Sequence, residues 1–420
     1  MISFRHPGTV LTDRLFAVPL DHSRPDGEQI EIFAREVVAA GQAGADLPWL
    51  LFLQGGPGFG AQRPQGREGW LDRALRDYRV LLLDQRGTGR SSPANRKTLA
   101  GLDPEAQASY LANFRADSIV LDAELIRREL TDEPWSVLGQ SFGGMCAVTY
   151  LSFAPHGIRE AFITGGLPGL TATADDVYRR TYRTVAAKNA AHYERYPRDA
   201  DMARRVADYL ASHEVRRPDG GLLTVQAFQS AGLLLGQGVG SHALHYLLED
   251  PFAGDELSDA FLYAMMNQVS FATGPLYALL HEAAYAQGPA TRWSAQRIRA
   301  EYPEFSPDAY PLYFTGEMIY PQMIDHDPVL RPFRRAADIL AERVGWPPLY
   351  DPARLAANDV PVAAAVYYDD MYVDREFSMR TAAAIRGLRT WVTSEYQHDG
   401  LRVSGGAVLD RLIAMVRGNI

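Results

Sequence analysis

Apolar positions follow two rhythms along this chain, and the rhythm changes twice. In the first part, short runs apolar at nearly every position end in turn chemistry: Trp49–Gln54 before Gly-Gly-Pro-Gly, Val80–Gln85 before Arg-Gly-Thr-Gly, Trp135–Gly139, and Ala161–Thr164 before Gly-Gly-Leu-Pro-Gly. Continuous runs of this length, punctuated by glycine, predict strands buried on both faces, as in a parallel sheet. Between the second and third runs, Ile119, Ala123, Ile126 and Leu130 recur at helical spacing, which predicts an amphipathic helix over Ser118–Leu130 started by Asp117. Strand, helix, strand in that order implies βαβ units with helices on both sheet faces. Upstream, Gln29–Ala39 alternates more strictly and predicts an antiparallel edge strand.

From about Leu170 to Leu349 the texture is helical, rich in Ala, Arg, Tyr and Leu, with no strong run of buried strands. The strand signal then returns at Val362–Asp370, followed by a helix around Ser378–Ile385 and a strand at Thr390–Ser394. No fixed-period repeat or low-complexity tract interrupts this order. The pattern predicts an α/β fold: a mostly parallel central sheet flanked by helices, its core assembled from residues 1–169 and 350–420 around a helical insertion at 170–349.

Composition narrows the function classes. A chain of 420 residues with 47% apolar, 22% charged and 10% aromatic residues is long enough for a sizeable core and unlike disordered or fibrous sequences. With 42 basic against 51 acidic side chains, a net charge of -9, it has no electrostatic reason to seek nucleic acid or an anionic membrane. Cys146 is the single cysteine, so neither an intrachain disulfide nor a Cys-x-x-Cys metal knuckle is available. The longest charge-free stretch, Trp135–Pro155, carries Gln140, Ser141, Ser152 and several glycines and is not expected to span a membrane. The opening residues lack the basic start, apolar stretch and cleavage site of a secretory leader, and a cytoplasmic location is expected.

The chemistry-bearing signal begins at Gly139-Gln140-Ser141-Phe142-Gly143, directly after a predicted strand and before a helical run. A serine there sits on a sharp strand-to-helix turn with its hydroxyl exposed at the carboxyl end of the sheet, the position of a nucleophile. Upstream, the Gln54-Gly55-Gly56-Pro57-Gly58 loop ends another strand, where Gly55 and Gly56 can turn backbone N–H groups toward a developing oxyanion. The N–H of Phe142, the residue after the nucleophile, would supply the second donor. Neither glycine loop completes a phosphate-binding signature, and GxGxxG is absent too.

A serine nucleophile needs a base and an orienting carboxylate, in the chain order Ser, Asp or Glu, His. His398, the only histidine after His326, lies in a loop past the last predicted strand. Asp369 and Asp370 close the preceding strand; counting from Pro361 favours Asp370, either can serve, and Asp374 is a third choice. No His-Glu-x-x-His signature is present, so no metal or other cofactor is expected, and Asp84–Ser91 reads as a structural loop whose Asp and Arg satisfy backbone and each other.

With Gln-Gly-Gly-Pro-Gly, Asp-Gln-Arg-Gly-Thr-Gly-Arg-Ser, Gly-Gln-Ser-Phe-Gly-Gly and the closing Tyr-Asp-Asp and His-Asp-Gly segments in place, the chain resembles the proline iminopeptidases of the α/β-hydrolase superfamily. The resemblance covers both flanks, more than half of the chain. It implies an α/β-hydrolase fold with an inserted helical cap, and a serine aminopeptidase that takes proline, or another small residue, from peptides with a free N-terminus. It also implies Ser141 as nucleophile, His398 as general base, an Asp of the 369–370 pair as its partner, and the Gly55–Gly56 loop in the oxyanion hole. Gln54 stands where the family often has His. Cap glutamates bind the substrate's imino group in this family; here Glu282 and, within Glu317-Met318-Ile319-Tyr320, Glu317 are the matching acids. Phe142, Tyr313 and Phe314 are expected to form an apolar slot for the ring. A carboxylesterase or other small-acyl hydrolase on the same triad is the alternative, since fold does not determine substrate, and a silent binding protein on this scaffold is a third.

Overall fold

The computed structural model describes residues 2–420. Nine strands form one sheet: β1 (Ile2–His6), β2 (Thr9–Pro19), β3 (Gln29–Ala39), β4 (Trp49–Leu53), β5 (Arg79–Leu83), β6 (Trp135–Gln140), β7 (Ile158–Thr164), and, after a two-residue hairpin of β8 (Phe252–Ala253) and β9 (Glu256–Leu257), β10 (Val362–Tyr367) and β11 (Leu388–Thr393). Their order is β1-β2-β3-β5-β4-β6-β7-β10-β11. The six strands from β5 to β11 in that order run parallel, while β1, β2 and β3 join them antiparallel.

Both faces of the parallel region are buried, which is why its strands read as unbroken apolar runs. Leu51, Leu53, Leu81, Leu83, Val137 and Ile163 pack toward the helices Ala116–Leu130 and Phe142–Phe153. Their neighbours Leu50, Phe52, Val80, Leu82, Leu138 and Phe162 face the opposite layer, where Leu409 and Leu412 of the helix Ala407–Val416 close the core. Removing any one of these leucines to Ala costs about 2–5 kcal/mol.

Gln29–Ala39 forms an antiparallel strand, but it lies third from the rim instead of at the edge. The two strands outside it are masked by charge: Asp13 of β2 pairs with Arg35 of β3 at 2.7 Å, and Arg14 with Glu36 at 3.0 Å. Cross-strand partners neutralise these charges in place, so a strand forms without an apolar signature. The helix predicted at Ser118 begins at Ala116, and Asp117 lies in its first turn while Arg115 occupies the cap position.

Between β7 and β10 the chain is helical apart from the β8–β9 hairpin and a few isolated bridges. Its longest helix, Ala174–Arg195, starts from a reciprocal capping box of Thr173 and Asp176. Tyr182, Phe228, Phe305 and Phe314 stack edge-on within this segment, with Phe305 5.0 Å from Tyr182 and Phe314 5.2 Å from Phe228. The apolar cluster continues from there onto the sheet. Among the described residues, no helix is long and apolar enough to cross a membrane.

Candidate active site

β6 ends in a turn that only small residues permit. Ser141 is held at φ 56° and ψ -125°, a left-handed conformation that a non-glycine residue adopts only under strain. A Cβ at Gly143 would collide with the carbonyl of Leu53, and one at Gly139 with the carbonyl of Gly143. The start of the helix Phe142–Phe153 is therefore pressed against the end of β4, and Ser141 occupies its cap position with the hydroxyl uncommitted to any capping hydrogen bond. The Ser141 N–H donates to the Thr164 carbonyl at 3.0 Å, tying the turn to the end of β7.

The glycine loop after β4 lies directly against this turn. A Cβ on Gly55 would stand 2.9 Å from the Ser141 Cβ. With its amide oxygen facing the neighbouring donors, Gln54 accepts from Arg402 Nη2 at 3.1 Å and from the Gly55 N–H at 3.2 Å. The Gly55 N–H is then engaged within the loop. No backbone partner takes the N–H of Gly56 or of Phe142 among the described residues. Gln85 Nε2 donates to the Gln54 carbonyl at 2.9 Å, and the chain just past the loop is held by fully buried Asp84, which accepts from Ala61 N at 3.0 Å, Arg90 N at 2.9 Å and Arg63 Nη1 at 2.8 Å. Within the Asp84–Ser91 loop Asp84 holds the Arg90 backbone as expected, while the arginine side chains reach outward, Arg86 Nε to Asp122 at 2.7 Å and Arg90 Nη1 to Asp13 at 2.7 Å. Asp84 is a supporting residue that sequence reading placed in a loop without seeing what it supports.

After β10 the chain turns through Tyr368 and Asp369, both exposed, and brings Asp370 back into the interior. Asp370 Oδ1 accepts from the N–H groups of Tyr372 at 2.9 Å and Val373 at 3.1 Å, while Oδ2 stands 2.7 Å from His398 Nδ1. The open choice between the two aspartates resolves geometrically: Asp369 points to solvent and makes no contact with the imidazole. Asp374 caps the helix Arg375–Ala384 by accepting from Phe377 N at 2.9 Å. His398 is anchored by its own N–H to the Gly236 carbonyl at 3.2 Å and by the ring of Tyr372, edge-on at 4.7 Å. With Nδ1 committed to Asp370, Nε2 is the ring nitrogen left to act.

Gly165 marks where the pieces converge. It follows Thr164, whose carbonyl holds Ser141, and a Cβ on it would lie 3.1 Å from His398 Nδ1 and 3.2 Å from Asp370 Oδ2. Burial alone would lower the His398 pKa; the charge and hydrogen bond of Asp370, with a further push from Glu317, outweigh it, and the net shift is upward.

The two glutamates from the helical segment are placed differently. Glu317 is half-buried, accepts from the Tyr277 hydroxyl at 2.9 Å, and shares an electrostatic field with His398. Burial raises its pKa to about 7, against the opposing pull of His398 and Tyr277. Glu282 is buried, its Oε1 accepting from Ala295 N at 2.9 Å and its Oε2 without a partner; burial raises its pKa as well. Its field acts on Tyr178, Tyr182 and Tyr285, and Tyr285 also feels Glu317 and Asp370.

The aromatic slot is not where the sequence suggested. Phe314 is fully buried against Phe228, and Tyr313 packs on Tyr193 and Phe305, so both belong to the packing of the helical segment. Tyr372, Tyr285, Met145, Leu167 and Phe377 instead line a small cavity, and the Tyr372 ring on its wall meets His398 edge-on. Tyr372 was findable, two residues past the acid in the same short segment; Tyr277 and Tyr285 carried no signal of their own.

Residues 48–398 match the alpha/beta hydrolase fold family. A proline iminopeptidase of Aeromonas sobria is 50% identical over 405 residues, spanning 96% of this chain and 95% of that protein. A proline iminopeptidase of Aspergillus aculeatus is 36% identical over 422 residues, spanning 96% and 93%.

Proposed function

The chain belongs to the proline iminopeptidase family of α/β hydrolases, and on that premise we propose that it releases N-terminal proline from short peptides through an acyl-enzyme on Ser141. The observation that carries the reading is the Asp370–His398 pair at 2.7 Å beside the strained Ser141 turn, with the Glu317 carboxyl in the same field. His398 Nε2 takes the Ser141 proton, and the serine oxygen attacks the carbonyl of the first residue. The N–H groups of Phe142 and Gly56 receive the oxyanion. His398 returns the proton to the leaving amine, and water repeats the sequence to free the acyl group.

Residues 170–349 act as a cap between the core parts 1–169 and 350–420. Two contacts support this: the Gly236 carbonyl on His398 N–H, and the close approach of Gly58 to the Tyr277 backbone. A prolyl N-terminus is a secondary ammonium with two N–H donors, and desolvating it requires carboxylate acceptors. Glu317 takes one, and its ionisation is completed when the cation arrives; the unpartnered Oε2 of Glu282 takes the other. The cavity beside Tyr372 accepts apolar substrate surface.

The test is hydrolysis of aminoacyl-naphthylamides of proline, alanine and leucine, with N-blocked proline and p-nitrophenyl esters alongside. Free proline is expected to be cleaved fastest and N-blocked proline hardly at all. Ester turnover without any amide cleavage overturns the peptidase reading and leaves an esterase on the same triad.

A further inference from the structure

On the proposed mechanism His398 protonates the leaving amine, so the departing peptide starts beside His398, whose ring Tyr372 meets edge-on. The cavity that Tyr372 lines also touches Gly169, Ala172 and Phe377, and these three residues belong equally to a larger outer groove of about 650 Å³. That groove is lined by four arginines, Arg179, Arg180, Arg183 and Arg380, and a single acid, Asp176. Asp176 is already spent on the Thr173 capping box. Arg179 pairs with Glu301 at 2.8 Å and Arg180 with Glu376 at 2.6 Å. Arg183 and Arg380 enter no ion pair among the described residues, and Arg380 lies over the Phe377 ring at 5.9 Å from its centre. Two uncommitted guanidinium groups at the mouth of one cavity are an unusual local excess in a chain of net charge -9.

We propose that this groove is a binding site for a carboxylate of the leaving peptide, with Arg183 and Arg380 as its ligands. The inference rests on the aminopeptidase reading above, because it takes the direction of departure from His398. A guanidinium matches a carboxylate with two parallel N–H donors, and the aromatic ring under Arg380 limits its motion. The carboxylate comes from the C-terminus of a short peptide or from an acidic side chain a residue or two beyond proline. Both sources share the same chemistry. The consequence is a preference for short free-acid or acidic peptides over neutral amides.

The experiment compares kcat/KM for Pro-Ala-Ala as the free acid, Pro-Ala-Ala amide, Pro-Ala-Glu amide and proline naphthylamide, in the wild-type enzyme and in Arg183→Gln/Arg380→Gln. The wild type is expected to favour the free acid over the amide by up to about fivefold, the upper scale of an exposed ion pair. This preference should fade as salt is raised. The double variant is expected to lose it while cleaving proline naphthylamide at the wild-type rate. Whether Pro-Ala-Glu amide behaves like the free acid separates the two carboxylate sources. Equal cleavage of acid and amide by the wild type, or an undiminished preference in the variant, overturns the groove. If proline naphthylamide is not cleaved at all, the aminopeptidase reading fails instead; calorimetric binding of the acid and amide tripeptides to Ser141→Ala then decides the groove alone, with equal Kd values rejecting it.

Discussion

The turn at Ser141 and the pocket at Glu317 both hold a reactive group away from bulk water, and they do so by opposite means. At the turn, backbone meets backbone: Gly139, Gly143 and Leu53 approach so closely that no side chain fits, and the serine is pinned in a strained conformation. At Glu317, a side chain from elsewhere in the helical segment reaches one half-buried carboxyl: the Tyr277 hydroxyl donates to it. Close backbone packing admits few sequences, whereas a wall of side chains admits many. On the proposed reading, reaction chemistry is housed in the rigid region, and substrate recognition in the region that can be re-lined without breaking the fold.

The sharpest way to break that comparison is to remove the nucleophile. Ser141→Ala should lower kcat/KM by about ten-thousandfold or more with an unchanged thermal midpoint; retained activity would show that the strained turn houses nothing catalytic. Gly143→Ala probes the same region by geometry, since the new methyl meets the Leu53 carbonyl; a loss of at least about 1–3 kcal/mol in urea unfolding is expected. Next in size is the aspartate pair. Asp370→Asn should cost about a thousandfold in kcat by releasing the His398 ring, and Asp369→Asn, on an exposed side chain, should leave kinetics unchanged.

The recognition region should respond less, and selectively. Glu317→Gln is expected to lower kcat/KM for free-proline substrates by about tenfold to a hundredfold, the worth of a charge-assisted hydrogen bond, and to spare p-nitrophenyl ester hydrolysis. Glu282→Gln keeps the acceptor for Ala295 N and should cost less than Glu317→Gln. A reversed order would transfer the leading role to Glu282. An equal loss on esters would move both residues into the reaction machinery.

The smallest effect is a shift in pH dependence. On the proposed mechanism the working base is the neutral imidazole of His398, whose pKa lies above the ordinary 6.5, so activity is expected to be lost as pH falls through that raised value. Glu317 contributes to the upward shift, so Glu317→Gln should move the acidic limb of the ester kcat/KM profile to lower pH. A limb that stays in place, or moves up, would uncouple the two regions.

Much of the rigid region was legible in the chain. Unbroken apolar runs marked the parallel strands because both sheet faces are covered, and the glycines around Ser141 marked a turn where side chains collide. The antiparallel strands at the rim were not, because Asp13 and Arg14 are neutralised only by partners on the neighbouring strand. Tyr313 and Phe314 looked like a substrate slot, since aromatic composition cannot distinguish a pocket wall from the interior of a helical layer.

The order Ser141, Asp, His398 and the α/β architecture follow from the sequence by itself, because local backbone constraints and hydrophobic period are written residue by residue. The choice of Asp370 over Asp369, the anchoring of Ala61 on Asp84, the electrostatic influence of Glu317 on His398 and the arginine groove were decided only by the tertiary structure. Each depends on which side chains a turn or a helix carries inward, and that direction is set by packing against elements tens or hundreds of residues away.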